Sequence, residues 1–210
     1  MKTTISIFLM VLTVAVIAGD KYTDQMTKNI ELVYKAQTSE ELQQAVNTFE
    51  RIANAEKTKW EPFYYASFGN IMLATREKDG AKKDGFLDLA KGLLDKAALI
   101  NANESEIAAL EGFIHMIRVT VDPATRGQQF TGLSIQALGK ALAINPNNPR
   151  AMALMAQMQY GTAQFFGSST AEACGTAAKA LEKFDSYKSD NVLAPQWGKG
   201  MAEGMKANCK

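Results

Sequence analysis

One histidine and two cysteines are all this chain offers for the commonest catalytic chemistries. His115 could serve as a general base if a carboxylate oriented it and a nucleophile stood opposite. Glu111, one helical turn earlier, supplies the carboxylate. No serine elbow, reactive cysteine motif or second histidine completes a set, and GxSxG, HExxH and Walker-type patterns are absent. His115 stands between Ile114 and Met116, the setting of a packed or edge residue. The sequence therefore predicts a protein that is not an enzyme, with an enzyme using His115 as a remote alternative.

Cys174 and Cys209 are not a CxxC pair, so they make no redox or metal motif. Two arrangements stay open: a disulfide that folds the C-terminal tail onto the helix carrying Cys174, or a buried thiol at 174 and a loose one at the tail. Met152, Met155, Met158, Met201 and Met205 carry soft thioethers that suit copper. Their helical steps read instead as adaptable core, so no metal and no cofactor is expected. Phe166-Gly-Ser-Ser-Thr170 has the small residues of a phosphate loop. It lacks a following lysine and a preceding strand, and helix capping by Ser169 or Thr170 explains it. In the loop 121–128, Asp122-Pro123 starts a turn, and Arg126 either faces outward toward a carboxylate or turns back on Asp122.

Helices must hold all of these. Thr38-Ser-Glu-Glu41 is a capping box, and Leu42, Ala45, Val46, Phe49, Ile52 and Ala53 follow at three- and four-residue steps. Similar spacing predicts helices over about 24–37, 61–77, 83–100, 104–120, 129–144, 149–163 and 170–187, and a weaker one over 195–208. No strand pattern competes. The helices pair as hairpins. Residues 89–103 match residues 133–147, 44 positions on, at seven of fifteen places, and such a fixed period marks a solenoid. The second helix of each hairpin carries a spaced small residue: Ala45…Phe49…Ile52, Ala90…Leu94…Ala97, Ser134…Leu138…Ala141 and Ala173…Ala177…Ala180.

That pattern, with Asn145-Pro-Asn-Asn148 closing a helix and a small Gly112 or Ala156 in the first helix of a pair, resembles the tetratricopeptide (TPR) repeat. The resemblance spans about Asp24–Tyr187 and is strongest over 89–112 and 133–156. Together with the N-terminus described below, it is similar to small exported TPR-like proteins of Bacteroidota-type bacteria. It implies an all-α, right-handed solenoid of about four hairpins with a C-terminal capping helix, in which Trp197 helps to cover the last repeat. It also implies a groove lined by the first helices. Carried over position by position, the groove takes Tyr34, Tyr64, Phe68, Met116, Arg150, Gln157 and Tyr160, an aromatic surface with one positive charge suited to a peptide or partner helix. The family's clamp for a peptide carboxylate is not present.

The usual TPR period is about 34 residues, whereas Ile52, Ala97, Ala141 and Ala180 are 45, 44 and 39 apart. The turns between repeats are short, so the extra length is expected in long loops at about 76–82, 121–128 and 164–169. Those loops would thicken one edge around Asp122 and Arg126 into a binding rim.

At the N-terminus, Lys2, the apolar run Ile5–Ile17 and the small residues before Gly19 read as a secretory signal over 1–18. The run is short of the ~20 residues a membrane span needs. A single domain over 19–210, periplasmic or secreted and soluble, is the expectation. Without Lys2, basic and acidic residues are equal in number, which leaves no footprint for nucleic acid. The expected function is a non-catalytic interaction module for a protein or peptide partner. The alternative is a small-ligand or lipid carrier with an apolar cavity between helices.

Overall fold

The computed structural model describes residues 21–209. The proposed signal, 1–18, lies outside them. Every regular element among the described residues is a helix: α1 (described from 21 to 35), α2 (Ser39–Ala55), α3 (Glu61–Arg76), α4 (Gly80–Ile100), α5 (Ser105–Val119), α6 (Pro123–Ile144), α7 (Pro149–Phe165), α8 (Ala171–Ser186) and α9 (Lys199–Ala207). Among the described residues, no helix is long and apolar enough to cross a membrane.

Local chemistry sets the helix starts. The Thr38 hydroxyl accepts from the Glu41 N–H while the Glu41 carboxylate accepts from the Thr38 N–H, so two of the orphan donors are satisfied reciprocally. Asp79, Asp122 and Asn148 cap α4, α6 and α7 with side-chain oxygens. At α8 the Ala171 N–H bonds the Ser169 hydroxyl, and Thr170 gives no side-chain cap.

The helices stack as an all-α, TPR-like solenoid. α3 packs on α4, α5 on α6 and α7 on α8, while α3 meets α5 and α5 meets α7, so the first helices form an inner layer. α9 adds to that layer against α7 and α8. Every residue of the small-residue signature is buried, from Ala45 to Ala180. Polar groups stitch the layers. Asn29 Nδ2 donates to the Ala45 carbonyl at 2.9 Å, Ser67 Oγ to that of Ala90 at 2.8 Å, and Ser134 Oγ to that of Gly112 at 2.8 Å. At Gly112 a Cβ would lie 2.6 Å from Leu138 Cδ2, so only glycine allows α5 and α6 this close.

A loop stands near the third expected place, but at the first two the extra length per repeat is not in loops. Only residues 77–79 separate α3 from α4, only 120–122 separate α5 from α6, and 166–170 separate α7 from α8. It extends the helices themselves, chiefly at the starts of α4 and α6. Each capping aspartate stands where a loop was expected and nucleates helix there. The thickened rim is therefore absent. Asp122 is the α6 cap, accepting from Thr125 N at 3.2 Å and Thr125 Oγ1 at 2.6 Å. Arg126 neither faces outward nor pairs with Asp122; its Nη1 donates to Asp84 Oδ2 on α4 at 2.6 Å.

Candidate functional site

The inner layer does form a groove, and the chain fills it. Between α8 and α9, residues 187–198 run without helix. A turn closes at Asn191–Ala194, where the Ala194 N–H donates to the Asn191 carbonyl at 2.9 Å, and Pro195, which has no N–H and biases Ala194 away from helical geometry, keeps helix from resuming before Lys199. The helix expected from Pro195 starts only at Lys199. Trp197, 9% exposed, lies between Phe68 and Phe113 with ring centroids 5.4 and 5.5 Å away, stacked on both. Leu193 and Pro195 are buried beside it.

The segment is held as a bound peptide would be. Tyr65 Oη donates to the Leu193 carbonyl at 2.7 Å. The Gln196 N–H donates to Tyr34 Oη at 3.1 Å, and Trp197 Nε1 to Tyr64 Oη at 2.9 Å. Gly198 turns the chain into α9 at φ 102°, the left-handed region that favours glycine. A Cβ there would lie 3.1 Å from both Arg150 Cγ and Phe184 Cζ.

The expected groove residues divide accordingly. Tyr64 and Phe68 are buried, and half-buried Tyr34 meets both Phe68 and Tyr65 edge-on. Met116 packs partly buried on the core. Gln157 is half-buried, and Tyr160 packs beside Ala156, Ala177 and Met205 under α9. Their aromatic faces are spent on the chain's own segment and helices, so they offer no open groove to a partner. Trp197 does not cap the last repeat; that place belongs to α9.

Arg150 departs furthest from expectation. It is fully buried and forks onto Glu106, Nε to Oε2 at 2.7 Å and Nη2 to Oε1 at 2.8 Å. Tyr187 lies over its guanidinium at 4.5 Å and Phe184 at 5.9 Å. Asn148 Nδ2 also donates to Glu106 Oε1, and to Ser105 Oγ, while Ser105 Oγ donates to the Ala141 carbonyl. Burial holds the Glu106 carboxyl above its ordinary range, against the lowering effect of Arg150 and Asn148. The groove's one positive charge is thus a structural fork inside the molecule.

His115 is half-buried, stacked on Phe130 with centroids 6.0 Å apart, and its Nδ1 is buried without a hydrogen-bond partner among the described residues. Burial, with Arg118 and Lys91 nearby, lowers its pKa against the opposing effect of Glu111. Cys174 and Cys209 are joined in a disulfide with Cα atoms 5.8 Å apart, which ties the end of α9 to α8. The large exposed apolar side chains include Phe165 and Phe166, 84% and 74% exposed, which meet edge-on at the α7–α8 turn.

No family model and no curated protein matches the chain. Among solved structures, the HusA haemophore from Porphyromonas gingivalis is 28% identical with a TM-score of 0.80, over 90% of this chain and 92% of that one. A thermophilic TPR protein from Thermus thermophilus is 17% identical with a TM-score of 0.57, over 92% and 95%. The second likeness is one of fold. With the stacked hairpins and the small-residue contacts, these neighbours show that the chain has a TPR-like helical fold.

Proposed function

We propose that this protein is a non-catalytic, exported carrier that captures haem or a similarly flat, apolar macrocycle. The observation that carries the reading is the match to a haemophore along nine-tenths of both chains. The aromatic pair Phe165 and Phe166 supports it, because two exposed rings set edge to face present both a wall and a floor to a planar ligand. His115 takes no part: its ring is already stacked on Phe130. Export is supported by the apolar run Ile5–Ile17 and by the disulfide, which suits an oxidising compartment.

The test is an absorbance titration of the purified protein with haemin. A saturable change in the Soret band is expected in the wild type and in His115→Ala. Phe165→Ala/Phe166→Ala should weaken binding at least tenfold, at an unchanged melting temperature. A wild-type spectrum equal to that of haemin in buffer would remove the reading.

A second reading, a periplasmic scaffold for a protein partner, is favoured by the TPR-like architecture. The groove is committed to residues 187–198, so such a partner would dock on outer surfaces. Pull-down from an envelope fraction that depends on Phe165 and Phe166, without any haemin response, would favour it.

A further inference from the structure

The first two helices carry the same spacing on facing sides. Gln25, Lys28, Asn29 and Leu32 of α1 follow one another at helical steps, as do Thr48, Arg51, Ile52 and Ala55 of α2. Such steps put each set on one helix face. The two faces meet over a recess of about 500 Å³ that all of these residues line. Its size falls within the range of about 300–1,000 Å³ usual for small-molecule sites. It lies on the first hairpin, where no earlier hairpin stacks among the described residues.

The recess has a polar floor, an apolar wall and charge of one sign. Asn29, 3% exposed, forms the floor, with its Nδ2 spent on the Ala45 carbonyl. Leu32, 54% exposed, and Ala55 leave an apolar wall open to water. Lys28 and Arg51 approach from opposite helices and are the charged residues of the lining. Both are exposed, and neither forms an ion pair among the described residues. The acids near them in sequence do not answer them. Glu31 is engaged by Lys35, and Asp24 and Glu50 do not line the recess.

Arg51 is held in place along its own helix. Its Nη2 donates to Thr48 Oγ1 at 3.0 Å, and that hydroxyl donates to the Gln44 carbonyl at 2.9 Å. Two cations sharing one cleft repel each other and concentrate anions there. A carboxylate suits both, because the planar guanidinium matches its two oxygens while the ammonium acts as a point charge. A bare inorganic anion would leave the Leu32 and Ala55 wall uncovered.

We propose that this recess binds a small organic carboxylate on a short aliphatic stem. Arg51 and Lys28 donate to the carboxylate from the two helices, and the stem lies along Leu32 and Ala55. The site belongs to the first hairpin and the Phe165–Phe166 pair to the α7–α8 turn, so it stands or falls independently of haem capture.

The probe is hexanoate, titrated into the protein and followed by the NMR signals of the Asn29 side-chain amide and the Thr48 and Arg51 backbone amides. Saturable one-to-one shifts are expected, with at least tenfold weaker binding in Arg51→Gln and severalfold weaker binding in Lys28→Gln. Hexanamide keeps the stem without the charge and should not compete. Acetate keeps the charge without the stem and should bind at least severalfold more weakly. Absence of saturable shifts, wild-type affinity in both variants, full competition by hexanamide, or acetate binding as tightly as hexanoate would overturn the assignment. If Arg51→Gln disturbs the fold, Lys28→Gln decides: unchanged affinity there would overturn it.

Discussion

Trp197 Nε1 donates to Tyr64 Oη at 2.9 Å across 133 residues of chain. This bond joins the groove floor to the segment that fills it, while Phe68 and Phe113 close on the indole from either side. The groove is therefore part of the core. Trp197→Ala should cost about 3–5 kcal/mol, the usual range for deleting a buried tryptophan. Trp197→Phe keeps most of the stacking but leaves the Tyr64 hydroxyl without its donor, and should cost less. Urea unfolding of both variants measures the difference. A change below about 1 kcal/mol for Trp197→Ala would mean that the segment is loosely held.

The Glu106–Arg150 fork predicts an asymmetry. Arg150→Ala strands a buried carboxylate and should destabilise by roughly 3–5 kcal/mol. Replacing both partners, with Glu106→Leu and Arg150→Met, removes the charges together and should recover much of that loss. A double-mutant cycle checks this, and additive losses would show that the two charges are not coupled.

Much of this fold was open to a sequence reader, because helix signals are local. The Thr38–Glu41 capping box and the small residues from Ala45 to Ala180 stand within single helices, and the structure uses them as their spacing implies. The helix extensions were missed because Asp79 and Asp122 read equally well as turn residues and as caps. The groove's occupant was missed for another reason. Nothing within Pro195-Gln-Trp-Gly198 announces that its partners are Tyr64, Phe68 and Phe113, each more than eighty residues away. Arg150 did carry a signal. An acid and a base at one repeat position, 44 residues apart, must face each other once neighbouring first helices stack.

Burial pushes the phenols of Tyr64 and Tyr65 well above their ordinary value of 10.0. In the unfolded chain both titrate near pH 10. Above that pH the unfolded state binds fewer protons than the folded one, so stability is intact below about pH 10 and falls as pH rises further. Each such tyrosine contributes about 1.4 kcal/mol of loss per pH unit. The urea midpoint should therefore drop steeply between about pH 10 and 11, together with the appearance of tyrosinate absorbance. Tyr65→Phe should flatten the slope, while leaving the Leu193 carbonyl without its donor. A midpoint that stays level through this window would contradict the buried, neutral phenols.

The Cys174–Cys209 bond closes a loop with a sequence separation of 35 residues. Constraining a loop of that size in the unfolded chain stabilises by roughly 3–4 kcal/mol. Its local effect is to hold α9, only nine residues long, against α8. A helix so short is marginal by itself, and Gly200 and Gly204 weaken it further. Its buried anchors are Ala202 and Met205. Cys174→Ser/Cys209→Ser should therefore speed amide exchange in α9 well before it affects α3 or α5. The groove segment should loosen next, because Gly198 leads directly from α9 to Trp197. Uniform exchange across all helices in the variant would instead assign the disulfide a purely global role.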